Sequence, residues 1–189
     1  MSHVFDIETL HDIARLGIGK PHDEMVRVVV EAVARAYPEH IDANPQRRWL
    51  YSLTAGATGV MTLLHASFTE YLIIFGTPIG TEGFSGRYRM DIHDFLMDGE
   101  IWTYRARNCG VREVVKPGDH TVLERSQVNG FKIPDHAWML EYGRGSVPAA
   151  FPLILGDVLF SAVDFTTLAD TVWVYGKMAL RELVLNRKF

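Results

Sequence analysis

With one cysteine, Cys109, among 189 residues, the chain cannot close an internal disulfide, and it has no CxxC pair to hold zinc or carry redox chemistry. Positive charge is also scarce. The chain carries 19 Lys and Arg against 23 Asp and Glu, for a net charge of -4, and the basic residues are scattered rather than gathered on one stripe. Such a distribution gives no electrostatic footprint for nucleic acid, which is excluded as an expected partner. No run reaches the ~20 apolar residues that a spanning helix needs, and Met1 to Glu8 lacks the basic and apolar blocks of a signal peptide. The residues given are not expected to cross a membrane, and an anchor ahead of them stays open.

Catalytic signatures are equally sparse. No serine sits in a nucleophile elbow and Cys109 has no neighbouring base, so covalent catalysis finds no support. The stretch Gly76 to Gly83 contains several glycines but no lysine and no following helix, so it reads as a loop rather than a phosphate cradle. Pro117-Gly-Asp-His120 has the residues of a metal-binding loop, yet no His-x-His pair supplies further ligands, and a surface turn is expected. Neither a metal nor another cofactor is expected.

What the chain does have is apolar content, 48% hydrophobic against 22% charged, enough for one compact domain over residues 1–189. Its first part, 1–56, reads as helical. Asp6 can cap a helix carrying Leu10, Ile13 and Ala14 that stops at Gly17 and Gly19; after Pro21 and Asp23, the spacing of Met25, Val29, Ala32, Val33 and Ala36 predicts an amphipathic helix ending at Pro38. Trp49 to Leu53 is expected as a short third helix.

Over 57–147 the pattern changes to short runs punctuated by Gly, Pro, Asn and Asp. Strands are predicted for Val60 to Glu70, Tyr71 to Thr77, Gly86 to Phe95, Glu100 to Arg105, Val111 to Val115, Thr121 to Leu123 and Ala137 to Tyr142. This spacing suggests an antiparallel barrel or sandwich, making the whole α+β. Residues 148–189 return to helix: Pro148 to Phe160 is apolar, and Asp164 caps a helix running to about Asn186. These two amphipathic segments carry apolar side chains on more than one face, which suits a pair that covers the barrel on one side and meets a membrane surface or roofs a greasy pocket on the other.

Acids within the apolar strands are the clearest chemical signal. Glu141 follows Ala137-Trp-Met-Leu and shares a face with Met139; Glu70 shares one with Leu72 and Ile74; Asp91 and Asp94 fall on opposite faces of an extended segment. A buried carboxyl must find partners or accept a raised pKa. For any one of these acids, partnership with backbone amides or with Arg87 or Arg144 is the ordinary expectation. Several acids in one apolar barrel change the reading, because two carboxyls close together retain one proton near neutral pH, as acid and base chemistry requires.

The run from Leu63 to Gly83, with His65-Ala-Ser-Phe-Thr-Glu70-Tyr-Leu-Ile-Ile-Phe-Gly at its centre, resembles the fungal C-8 sterol isomerases. Ser85-Gly-Arg-Tyr88 and Trp138-Met-Leu-Glu-Tyr-Gly-Arg-Gly145 resemble the mammalian type-one sigma receptor, Asp164-Phe-Thr-Thr-Leu168 recurs in similar form, and Asn186-Arg-Lys-Phe189 is similar to the isomerase C-terminus. The resemblance runs from about Phe5 to the end. It implies a cupin-like β-barrel around an elongated apolar cavity, two C-terminal helices against a membrane, and a homotrimer. Glu141 matches the family glutamate that meets a ligand amine, Asp94 the aspartate hydrogen-bonded to it, and Glu70 a glutamate that ties the barrel together. Met61, Leu63, Tyr71, Phe75, Tyr88, Ile92, Ala150, Phe151, Ile154, Thr171 and Tyr175 match positions lining or bordering the cavity.

Departures are local. The relatives' N-terminal spanning helix has no counterpart here; Ala57 and Ile133 stand where the receptor has tryptophans, and Phe84 replaces a histidine. The resemblance implies a sterol Δ8–Δ7 isomerase using Glu141 and Asp94 as acid and base. Two alternatives share those residues: a terpenoid isomerase or protonation-initiated cyclase, and a non-catalytic binder of sterols or hydrophobic amines. The expected location is cytoplasmic or peripheral to a membrane, the endoplasmic reticulum in a eukaryote.

Overall fold

Helix α1 (Ile7–Arg15) starts where the Asp6 carboxylate accepts from the Thr9 amide at 2.8 Å, meeting one of the donors that a helix start leaves open. Its partner α2 (His22–Ala36) follows Pro21, whose fixed φ suits a helix entrance. Both agree with their sequence signals. The computed structural model describes residues 3–41 and 48–186.

Strand β1 (Leu50–Thr54) replaces the short third helix expected at Trp49 to Leu53. It pairs antiparallel with β2 (Ala57–Ala66), from Leu50 opposite Met61 to Thr54 opposite Ala57, across a two-residue turn. Ala55 and Gly56 both adopt positive φ, 51° and 89°, the handedness that lets a tight hairpin match strand twist. Cross-strand pairing thus overrides the helical reading. The long run Val60 to Glu70 is broken at Ser67, whose hydroxyl accepts from the Glu70 amide at 3.2 Å, and β3 (Glu70–Thr77) begins there.

The remaining strands are β4 (Thr81–Phe84), β5 (Met90–Gly99), β6 (Ile101–Tyr104), β7 (Glu113–Val115), β8 (His120–Leu123), β9 (Gly130–Ile133) and β10 (Ala137–Gly145). Two of them, β4 and β9, are absent from the sequence expectation. They pair with each other from Thr81 opposite Ile133 to Phe84 opposite Gly130, so the expected Gly76 to Gly83 loop shrinks to a turn around Pro78 to Gly80. In place of one closed barrel the strands form two antiparallel sheets, one ordered β1-β2-β3-β10-β5-β8 and the other β4-β9-β6-β7, in keeping with a cupin-like α+β fold.

Alternation along the first sheet sorts its side chains into two populations. Leu72, Ile74, Phe95, Leu140 and Tyr142 share a buried cluster with Leu10 and Ile13 of α1 and Met25, Val29 and Val33 of α2. Leu63, Ile73, Phe75, Leu96 and Met139 join Ile101 and Ile133 of the second sheet in another. Each fully buried aliphatic or aromatic side chain contributes about 2 kcal/mol. Leu63, Ile73, Phe75 and Met139 of this inner face also border two cavities.

The chain closes with α3 (Phe151–Asp157), a single π-helical turn over Val158–Ala162, and α4 (Phe165–Leu185). Asp164 caps α4 as its sequence position predicts, accepting from the Thr167 amide at 3.0 Å. Tyr175 donates to the Ser67 carbonyl at 2.8 Å, and Asp157 accepts from the Ala55 amide at 2.5 Å, so both helices are fastened over β1 and β2. No helix among the described residues is long and apolar enough to cross a membrane.

Candidate functional site

Glu141 of β10 stands opposite Asp94 of β5 on one side and Ile73 of β3 on the other. Directly opposed residues in an antiparallel pair bring their Cβ atoms to ~5 Å, so the register itself sets the two acids side by side. Tyr71 reaches the same point. Its hydroxyl donates to Glu141 Oε1 at 2.6 Å, and its ring lies over Gly143, where an added Cβ would come within 2.2 Å of the ring. Glycine at 143 is therefore a condition for that hydrogen bond.

Burial raises both carboxyls above their ordinary values. For Asp94, burial comes first and the Glu141 charge second, and together they push it well above 3.8; its Oδ1 has no partner among the described residues. Glu141 is also raised by burial, but the Tyr71 hydrogen bond works in the opposite direction. The two sites titrate as a pair that keeps a proton to higher pH than free carboxyls do, and the Tyr71 hydrogen bond favours the ionised form at Glu141. Tyr71, held far above 10.0 by burial and by Glu141, remains a donor throughout.

Two adjoining cavities meet at this pair. The inner one, about 140 Å³, lies between the sheets and includes Asp94, Phe75, Ile92, Met139 and Phe131 in its wall. The outer, about 580 Å³, lies under α3 and α4. Glu141, Tyr71 and Tyr88 border both. Met61, Leu63, Ala150, Phe151, Ile154, Thr171 and Tyr175 line the outer chamber, so every wall residue expected from the resemblance borders one chamber or the other.

Glu70 faces away from them. Its carboxylate accepts from the Val4 amide at 2.9 Å and from the Tyr142 hydroxyl at 2.7 Å, fastening the N-terminal segment to the sheet. Among the described residues Glu141 bonds to Tyr71 and not to Asp94, in place of the hydrogen bond between the two acids that the resemblance implies. Asp91, on the opposite face from Asp94, accepts from the Arg125 amide at 2.8 Å. Ala57 and Phe84 border the inner chamber, whereas Ile133 is packed into the inter-sheet core.

Several wall residues escape sequence reasoning. Ser52 sits in the segment expected as a short third helix and Thr54 just past its end, and Asn129 and Phe131 lie in or beside β9. The alternating Gly130-Phe-Lys-Ile pattern is the signal for the latter, masked by its shortness and by Asn129 and Pro134 at its borders. One set of possible metal ligands occurs among the described residues: His40, His65 and Glu182, with donor atoms within 4.8 Å of one another. It lies outside both chambers, and His40 Nδ1 meets Glu182 Oε2 at 2.8 Å, tying α4 to the loop after α2.

Residues 1–187 match the family described as ERG2 and Sigma1 receptor like protein. The chain belongs to this family. It is 37% identical over 189 residues to the C-8 sterol isomerase of Pyricularia oryzae, spanning 98% of this chain and 85% of that one. It is 36% identical over 182 residues to sigma non-opioid intracellular receptor 1 of Danio rerio, spanning 95% and 81%. Among solved structures, an RmlC-like cupin from Shewanella frigidimarina is similar over 57% of this chain and 92% of that chain, at 16% identity and a TM-score of 0.47. The ERG2 and sigma receptor family thus contains both named isomerases and named receptors, and the site must be read for which of these it supports.

Proposed function

We propose that this ERG2 and sigma receptor family member is a sterol isomerase that moves an alkene from Δ8 to Δ7 by proton transfer at Asp94 and Glu141. The observation that carries the reading is the cross-strand pair itself: two acids, both raised by burial, at the junction of two cavities, one of them wide and apolar. Asp94 gives its proton to alkene carbon C9, leaving a tertiary cation at C8. Glu141, ionised and held by Tyr71, stabilises that cation and takes the proton from C7, whose bonding pair becomes the new alkene. Atoms balance without a cofactor, and the pair is reset by returning the proton to Asp94.

The apolar wall excludes water from the cation, and the faces of Tyr71, Phe75, Phe151 and Tyr175 add favourable quadrupoles. A volume near 580 Å³ falls within the range that small-molecule sites occupy, ~300–1,000 Å³. The second reading is a receptor-like binder: an ionised Glu141 in an apolar cavity also attracts a hydrophobic ammonium ion. Similarity to a sigma receptor at 36% identity favours keeping it.

Incubation of the purified protein with Δ8 sterols in deuterated water, read by mass spectrometry, separates these. Deuterium in a Δ7 product is the expected result. Tight binding of sterols or amines without any exchange would instead establish the receptor reading. Attachment to membranes belongs to the same proposal, because Phe160 and Trp173 leave 88% and 72% of their surface exposed on the closing helices. Co-flotation with phosphatidylcholine vesicles tests it, and light scattering of the solubilised protein tests the homotrimer.

A further inference from the structure

The two chambers differ in chemistry as well as in size. Beyond Glu141 and Asp94, the inner one is bordered by Ser85, Thr103, Thr121 and Asn129, while the outer, which shares Ser52 and Thr54 with it, is walled mostly by apolar residues such as Val147, Ile154 and Leu168. Asn129 stands out within that polar set. It is 8% exposed, its amide donates to Ser85 Oγ at 3.0 Å, and its carbonyl accepts from the Ser85 amide at 3.0 Å. The backbone is thereby satisfied and fixed, yet the side-chain Oδ1, shielded from solvent, has no hydrogen-bond partner among the described residues. Buried polar atoms are nearly always paired, so a carboxamide that borders the chamber with an unpaired oxygen points to a partner in the chamber, reached by turning about its Cβ–Cγ bond.

We propose that the inner chamber is a hydroxyl subsite with Asn129 as its specificity-determining residue, so that a ligand lies with its short oxygenated end inside and its long alkyl end under α3 and α4. The inference rests on the sterol reading of the site and deepens it. A hydroxyl both donates and accepts, so it satisfies a carboxamide in either orientation, whereas a bare hydrocarbon leaves Oδ1 as it is. Volumes agree with the direction. A chamber of about 140 Å³ takes a short group, and one of about 580 Å³ takes a flexible chain. Glu141, at the junction, then faces the middle of the ring system, where the Δ8 alkene lies. Orientation follows from polarity and space together.

Equilibrium binding of a radiolabelled 3-hydroxy Δ8 sterol, its 3-methyl ether and its 3-deoxy counterpart to the solubilised full chain tests the assignment. The native protein should prefer the hydroxyl over both others by at least ~10-fold, as sites built to bond a buried hydroxyl do. In Asn129→Leu, checked as folded by circular dichroism, that preference should fall to near unity while the deoxy ligand binds as before. A native protein that binds all three equally overturns the subsite whether or not the variant folds, and leaves the sterol reading standing. Preference that survives unchanged in Asn129→Leu also overturns it. Failure of the native protein to bind any of the three would remove the sterol reading and this inference together.

Discussion

Glu70 and Glu141 stand on adjacent strands of one sheet, are both flanked by apolar residues, and have opposite fates. On the face that α1 and α2 cover, Glu70 is 0% exposed and its carboxylate is gripped by the Val4 amide and the Tyr142 hydroxyl. On the face between the sheets, Glu141 has Tyr71, and one oxygen of the Asp94 beside it has no partner among the described residues. Burial alone does not distinguish a structural acid from a reactive one. Under the proposed function hydrogen-bond satisfaction does: a carboxylate gripped by fixed donors is held in a structural role, whereas a poorly satisfied buried pair retains a proton that can move.

The comparison breaks most clearly at Glu141. Replacing it with Gln preserves shape and removes the base, and turnover should fall by about 10³-fold, within the range of lost acid–base catalysis. Circular dichroism and the urea midpoint should stay near those of the native protein. Full turnover in this variant would sink the proposed mechanism. Glu70→Ala should do the converse. Stranding the Val4 amide and the Tyr142 hydroxyl costs about 3 kcal/mol, read as a lower urea midpoint, while activity per folded molecule persists. Loss of activity with unchanged stability would reverse the assignment of the two acids.

Sequence reasoning goes a long way toward this contrast and stops at a definite point. The Asp6 and Asp164 caps, the α2 stripe and the apolar strand around Glu141 are legible because each depends on neighbours a few residues away. The fate of the acids is not. Val4 is 66 positions from Glu70, and Tyr71 is 70 from Glu141. Periodicity places Glu70 and Glu141 on apolar strands alike, and only strand register decides which donors reach them; the family resemblance supplies that choice before the register is known. β1 is misread for the same reason, since its strand state comes from pairing with β2 across Ala55 and Gly56. Asn129 is missed because β9 is four residues long and borders on turn-forming residues.

Asp94 offers a sharper test, because improving stability there should cost function. Its folded pKa is raised above 3.8 by burial, so its contribution to stability is complete below that pH and declines as pH rises while the unfolded chain ionises and the folded one does not. Asn cannot ionise and escapes that decline. Asp94→Asn should therefore be more stable than the native protein by about 2 kcal/mol near neutral pH, the scale on which removing a buried charge stabilises. The gap should close as pH falls toward 3.8. Turnover should drop, since the donor is gone. A variant that is equally stable at every pH would show that Asp94 is solvated in the folded protein and not the proton holder.

Tyr71→Phe carries the smallest expected effect and addresses the difference between the two members of the pair. Its hydroxyl is the one group that lowers the Glu141 pKa against burial, so removing it should raise Glu141 further. A net hydrogen bond of this kind is worth about 1 kcal/mol, so the loss of rate near neutral pH should stay within ~10-fold. More telling is the shape of the pH–rate profile. If Glu141 must be ionised to accept the C7 proton, the acidic limb should move to higher pH in the variant, and high pH should restore part of the rate. A limb that stays in place while the rate falls uniformly would mean that Tyr71 shapes the wall without tuning the base. Gly143→Ala serves as the companion variant, since its methyl group takes the space of the Tyr71 ring, and should move the limb the same way with both side chains of the hydrogen bond still present.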